Sequence, residues 1–144
     1  MKEINETSKQ VGVSKRSLQY YDEYFSREGI TLAKRNSNNH RVYDIQAFES
    51  IWKIIMFREM GFPLRKITPL LKYSEQEQKN YLREQIIEIK SEILELKIQL
   101  EFISVIEKKG ILLAPTEESG ITYRKSIEMF KEEISFLYNS KCRK

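Results

Sequence analysis

The sequence predicts an all-α chain with a small β wing: a winged helix-turn-helix, a long coiled-coil helix, and a short C-terminal helix. Three observations carry this. Apolar residues recur at spacings of three and four through most of the chain, the helical period. The segment Lys34-Arg-Asn-Ser-Asn-Asn-His40-Arg41 breaks that period with residues that favour turns and tolerate the left-handed backbone. Leu82, Ile86, Ile89, Ile93, Leu96, Leu100 and Ile103 then alternate steps of four and three without interruption, the seam of a coiled coil.

Composition sets outer bounds. The 144 residues are 40% hydrophobic and 32% charged, with a net charge of +4, which describes a helix-rich globular chain with a modest cationic excess. The excess gathers between residues 14 and 41, where Lys15, Arg16, Arg27, Lys34, Arg35 and Arg41 outnumber Asp22, Glu23 and Glu28. The last residues add Lys141, Arg143 and Lys144, read as a solvated tail. No apolar run approaches a membrane span and no signal-peptide core precedes the first helix, so no membrane association and a cytoplasmic location are expected. The single cysteine, Cys142, excludes an intramolecular disulfide.

Ile4 to Gln10 is a short polar helix whose buried side is marked only by Ile4 and Val11. Gly12 suits a tight turn, and Ser14 can cap the next helix through the N–H of Arg16 or Ser17. Residues 4 to 24 therefore read as a helix-turn-helix. The second helix opens on Lys15, Arg16 and Ser17, with cations where the helix dipole favours anions, so an external anion would relieve it. Leu18 and Tyr21 can face inward while Arg16, Gln19 and Tyr20 stay outside. Donors at a helix N-terminus with planar side chains one turn on suit phosphates and base edges. The competing reading is an ordinary capped surface helix.

The basic turn follows. Lys34, Arg35, His40 and Arg41 bracket an Asn-rich centre, a hairpin able to grip a nucleic-acid backbone, against the alternative of a solvated loop. Asp44 is the next N-cap candidate, and Phe48, Ile51, Trp52, Ile55 and Met56 are expected in the core of a helix ending at Gly61. Pro63 can open another helix with Leu64, Ile67, Leu70 and Leu71 apolar, which Pro69 should kink or shorten.

From Glu75 to Lys108 the seam implies one helix about 50 Å long, which cannot bury its apolar stripe within a chain of this size. A second stripe of Ile87, Leu94, Ile98 and Val105 needs cover too. Self-association through the seam is the expectation. Lys108, Lys109 and Gly110 close the helix. After the apolar connector Ile111–Pro115, a last amphipathic helix is expected from the Thr116–Ile121 region to Tyr138, carrying Tyr123, Ile127, Phe130, Ile134 and Leu137. A small apolar pocket lined by Leu112, Leu113, Tyr123, Phe130 or Tyr138 competes with the simpler reading that these residues cover the second stripe.

No catalytic constellation is visible. The five glycines are scattered, and one histidine with one cysteine offers neither a metal cluster nor a nucleophile–base pair. No enzyme activity, metal or cofactor is expected.

Taken in order, Gly12-Val13-Ser14, Arg16-Ser17-Leu18, Tyr20-Tyr21-Asp22-Glu23, Arg41-Val42-Tyr43 and Arg58-Glu-Met-Gly61-Phe62, with Leu64 and Ile67, resemble the MerR family of bacterial transcription regulators over residues 1–108. The resemblance implies a winged helix-turn-helix DNA-binding domain over 1–73, a dimerisation helix over 74–109 forming an antiparallel coil, and a short segment over 110–144. It implies a homodimer on a palindromic promoter operator in double-stranded DNA, with RNA polymerase engaged there. Arg16, Tyr20 and Tyr21 resemble the family's major-groove and backbone contacts, Arg41 and Tyr43 its wing contact, and Arg58 a backbone contact from the second helix pair. Gln19 departs from the family's usual arginine, and glutamine can address adenine. His40 also departs, and Tyr24–Gly29 is longer than the common pattern. No effector is identified. An architectural DNA-binding protein using the same winged domain is the alternative, and an interaction module without DNA binding a third.

Overall fold

A computed structural model describes the backbone of residues 1–142 and the side chains of residues 1–137. The expectations for Tyr138, Lys141, Cys142, Arg143 and Lys144 lie outside those side chains. The chain forms two compact units, Met1–Arg83 and Glu84–Lys144.

The first unit begins with strand β1 (Lys2–Glu3), which the sequence did not reveal, and helix α1 (Ile4–Val11). Thr7 is fully buried and its hydroxyl donates to the carbonyl of Glu3 at 2.9 Å. Gly12 ends α1 in the left-handed region, φ 72°, where its N–H reaches the carbonyl of Ser8, a conformation that costs glycine nothing. Helix α2 (Lys15–Arg27) starts on Ser14, whose Oγ accepts from the N–H of Ser17 at 3.1 Å. Its inner face is Leu18, Asp22 and Phe25.

Strands β2 (Lys34–Arg35) and β3 (Arg41–Tyr43) form the hairpin wing. The sheet order is β1-β3-β2, all antiparallel, with Lys2 opposite Tyr43 and Arg35 opposite Arg41. In the turn, Asn36 Oδ1 accepts from the N–H groups of Asn38 and His40, and Asn39 adopts φ 62°. An asparagine-rich tip supplies both needs.

Helix α3 (Ile45–Glu59) is capped by Asp44, whose Oδ1 accepts from the N–H of Ala47 at 2.8 Å. Its buried face is Ala47, Ile51, Ile54 and Phe57. Trp52 was expected in the core and is not there: it is 62% exposed. One residue beyond Ile51, it is turned about 100° from the packed face at 3.6 residues per turn. Helix α4 (Leu64–Lys72) follows Pro63 and continues through Pro69. Pro69 cannot donate to the carbonyl four residues back, and the helix ends three residues later at nine residues in length.

Two apolar clusters hold this unit. Leu18, Tyr43, Ala47 and Ile51 join α2, β3 and α3. Phe25, Leu32, Ile54, Phe57, Phe62, Ile67 and Leu70 join α2, α3 and α4. Tyr81 and Leu82, from the start of helix α5 (Glu75–Lys109), pack half-buried against the second cluster. Leu82, expected as the first seam residue, thus serves this core. Ser74 and Glu77 cap α5 reciprocally, each side chain accepting from the other's N–H, a capping box.

In the second unit, Ile86, Ile89, Ile93, Leu96, Leu100 and Ile103 are all exposed along α5. Of the second stripe, Leu94, Ile98 and Val105 are half-buried and Ile87 is exposed. A short 3-10 turn (Glu117–Ser119) precedes helix α6 (Tyr123–Cys142), which starts later than the apolar spacing predicted. Phe130 meets Phe102 of α5 edge-on at 5.0 Å between ring centres. Leu112, Leu113, Tyr123 and Phe130 also line a groove of about 590 Å³. No helix among the described residues is long and apolar enough to cross a membrane.

Candidate nucleic-acid interface

Two helices of the first unit begin on cations with no acid in the first turn. Helix α2 opens with Lys15 and Arg16, and α4 opens at Leu64 with Arg65 beside it. In α4 the cap position is Pro63, with no side-chain hydrogen bond to the helix. Each start places positive charge on the positive end of a helix dipole, an arrangement that an external anion relieves.

Both starts border one groove of about 670 Å³. From α2 come Arg16, Ser17, Tyr20, Tyr21 and Tyr24; from the α3–α4 corner come Arg58, Pro63, Leu64 and Arg65. The tyrosines form a tilted ladder, with Tyr20 and Tyr24 6.4 Å apart and Tyr24 edge-on to buried Phe25 at 5.3 Å. Three guanidinium groups, three phenols and two helix N-termini around one hollow make a surface suited to phosphate oxygens and planar groups. Arg65 and Tyr24 escaped the sequence reading. Arg65 carried the same signal as Arg16, a cation in the first turn of a helix with no acid near it.

Lys15, Arg16, Gln19 and Tyr20 are exposed on α2, while Tyr21 and Ser17 are half-buried. The Ser17 hydroxyl lies 3.0 Å from that of Ser14. On the wing, Lys34, Arg35 and His40 are exposed, but each has an internal partner. Lys34 Nζ is 3.0 Å from Asp44 Oδ2, Arg35 donates to the carbonyl of Asn39 at 2.9 Å, and His40 Nδ1 is 3.3 Å from Glu3 Oε1. Arg58 is exposed, its guanidinium 3.4 Å from the carbonyl of Phe62.

Two residues assigned to DNA contact require correction. Tyr43 is fully buried, and its hydroxyl donates to Asp22 Oδ2 at 2.5 Å. Its side chain cannot reach a ligand on the surface. Arg41 is only 19% exposed in its side chain; its Nε lies 3.3 Å from Asp22 Oδ2 and a terminal nitrogen 3.9 Å from Glu23 Oε1. The reason is geometric: Arg41 and Tyr43, two residues apart on β3, share one face of the strand, and on that face both meet Asp22 of α2. Burial drives the Asp22 carboxyl above the ordinary aspartate range, opposed by Tyr43 and Arg41. The Tyr43 hydroxyl is pushed up, by burial first and then by its bond to Asp22. Among the described residues, no cluster of His, Cys, Asp or Glu is arranged to hold a metal.

Residues 3–74 match the family described as MerR HTH family regulatory protein. The chain is 38% identical over 135 residues to the multidrug-efflux transporter 2 regulator of Bacillus subtilis, covering 92% of this chain and 46% of that one. It is 26% identical over 127 residues to the transcriptional activator TipA of Streptomyces coelicolor, covering 85% and 49%. The chain thus spans about half the length of these curated relatives. Among solved structures, its fold is similar to the N-terminal part of the Bacillus subtilis multidrug transporter activator, MtaN. That match has a TM-score of 0.65 and 22% identity, covering 72% of this chain and 95% of that one. It is also similar to a MerR family transcriptional regulator from Bacillus cereus, with a TM-score of 0.55 and 18% identity, covering 96% and 98%. With its helix-turn-helix, three-stranded wing and long following helix, and with half of its length matched by the family, the chain belongs to the MerR family of DNA-binding transcription regulators.

Proposed function

We propose that this chain regulates transcription as a homodimer, reading a palindromic promoter operator with α2 and gripping the flanking phosphates with the groove between α2 and α4. The observation that carries the reading is the convergence of Arg16, Arg58 and Arg65 with two cation-led helix starts on one hollow. Lys15, Gln19 and Tyr20 are the exposed side chains of α2 nearest a bound duplex, and Lys34, Arg35 and His40 those of the wing. Arg41 and Tyr43 support the wing from within.

The second copy is recruited by α5. A row of exposed isoleucines and leucines over three heptads is unstable in water and self-complementary in a two-stranded coil. Two copies would present two reading helices, the symmetry that a palindrome matches. On this reading residues 1–73 bind DNA, 74–109 dimerise and 110–144 cover the coil, in a cytoplasmic protein that acts through RNA polymerase and catalyses no reaction.

The test is selection of bound duplexes from a random pool, followed by sedimentation of the complex. A two-fold symmetric consensus bound by two chains is expected. Selection of no consensus, or an asymmetric one bound by a single chain, would overturn the reading.

A further inference from the structure

We propose that Asp22 is a positioning residue for DNA recognition: from the inner face of α2 it fixes the wing to the reading helix, so that the two elements engage DNA as one body. This rests on the reading that α2 and the wing both meet the duplex.

Asp22 is only 8% exposed, and a buried carboxylate is costly unless richly paired. Its pairing is concentrated on one oxygen. Oδ2 takes the Tyr43 hydroxyl at 2.5 Å and the Arg41 Nε at 3.3 Å, while Oδ1 is buried with no hydrogen-bond partner. An apolar side chain at this buried position would avoid that cost. A polar group kept at such a position supplies direction, which apolar packing lacks.

The direction is informative. Both partners of Asp22 lie on β3, and β3 carries β2 and the turn through its ladder, so Lys34, Arg35 and His40 all hang from the strand that Asp22 holds. On the other side, Asp22 sits one turn after Gln19 and two residues after Tyr20, buried where both of those are exposed. Arg41 extends the link to Glu23. Among the described residues, the side-chain hydrogen bonds and ion pairs joining α2 to the sheet all run through Arg41 and Tyr43.

The experiment is a double-mutant cycle on affinity for the selected operator, pairing Gln19→Ala on the reading helix with Lys34→Ala on the wing. In the parent the two losses should be coupled by about fivefold or more, because each element is held in place by the other's contacts. In Asp22→Asn the same cycle should be additive to within about twofold. General destabilisation lowers the folded fraction of all four variants alike and leaves the coupling unchanged. Asp22→Leu combined with Tyr43→Phe and Arg41→Met places apolar against apolar, and should lose the coupling while keeping the fold; it decides the matter should Asp22→Asn fold poorly. Coupling that persists in either background would reduce Asp22 to an element of the core and overturn the proposal. If Gln19→Ala and Lys34→Ala are each silent in the parent, the interface reading itself fails, and the proposal with it.

Discussion

Lys34 and Asp44 join the wing to α3 through a carboxylate that has two tasks: Oδ1 accepts from the N–H of Ala47 and Oδ2 lies 3.0 Å from Lys34 Nζ. Both interactions favour the charged form, the backbone hydrogen bond first, and hold the Asp44 carboxyl below the ordinary aspartate range. A depressed value means stability that is present above about pH 4 and is lost as pH falls through the folded value. Asp22 has the opposite sign. Its raised value means a contribution present below about pH 4 and lost as pH rises through the folded value. Urea unfolding from about pH 2 to 7 should therefore show Asp44→Asn, which retains a good cap, with a shallower acid loss than the parent. Asp22→Asn should show a steeper one. Identical pH slopes for parent and variants would refute both assignments.

Tyr43→Phe removes only an oxygen, but that oxygen is the donor to a buried carboxylate. The loss should be about 1.5–3 kcal/mol, the range for a hydrogen bond to a charged group. It should appear as a lower urea midpoint at unchanged slope. A midpoint equal to the parent's would show that Asp22 finds another donor.

Charges placed in the exposed seam test the coil. Ile93→Asp with Leu96→Asp would bury unpaired carboxylates at the centre of a two-stranded interface, at several kcal/mol each. In the single chain both positions are exposed, so the fold of one copy should survive. Sedimentation velocity should give half the parent's mass with unchanged helical circular dichroism. An unchanged mass would place the dimer interface elsewhere.

The groove and the reading face should respond differently to substitution. Arg65→Ala removes a phosphate contact, and should weaken operator and unrelated DNA by similar factors while lowering the salt slope by about one. Gln19→Ala should cost about 1–3 kcal/mol on the operator and less on unrelated DNA, relaxing preference at one position per half-site. For the parent, affinity should drop about 10³–10⁵-fold between roughly 50 and 200 mM salt if six to ten phosphates are engaged. Should Arg65→Ala change sequence preference while Gln19→Ala is silent, the reading and gripping elements have been exchanged.

What was legible in the sequence was local. Ser14 and Asp44 cap the helices they precede, Gly12 takes the left-handed turn, and the Asn-rich tip makes the hairpin. Each depends on a few neighbouring residues, whose chemistry is complete without the rest of the chain. The seam of α5 is equally visible, because a heptad pattern is a property of one helix. Its start at Glu75 is read from the same change of pattern, whereas the capping box that Ser74 and Glu77 form there is not.

Only the tertiary structure decided which side chains stay free to act. Strand β1 is two residues with no period to read, and it is a strand because β3 offers an open edge beside it. Trp52 carries the helical spacing of a core residue, yet the face that α2 and α4 cover is centred on Ile51 and Ile54. Arg41 and Tyr43 lie in a basic, aromatic stretch that reads as a contact surface, and both are drawn inward by Asp22, some twenty positions earlier in the chain. Arg16, Arg58 and Arg65 belong to three helices and share a groove only once the α3–α4 corner packs beside α2. Backbone conformation and capping follow from neighbours in sequence, whereas the burial and pairing of a charge follow from neighbours in space, which no local pattern specifies.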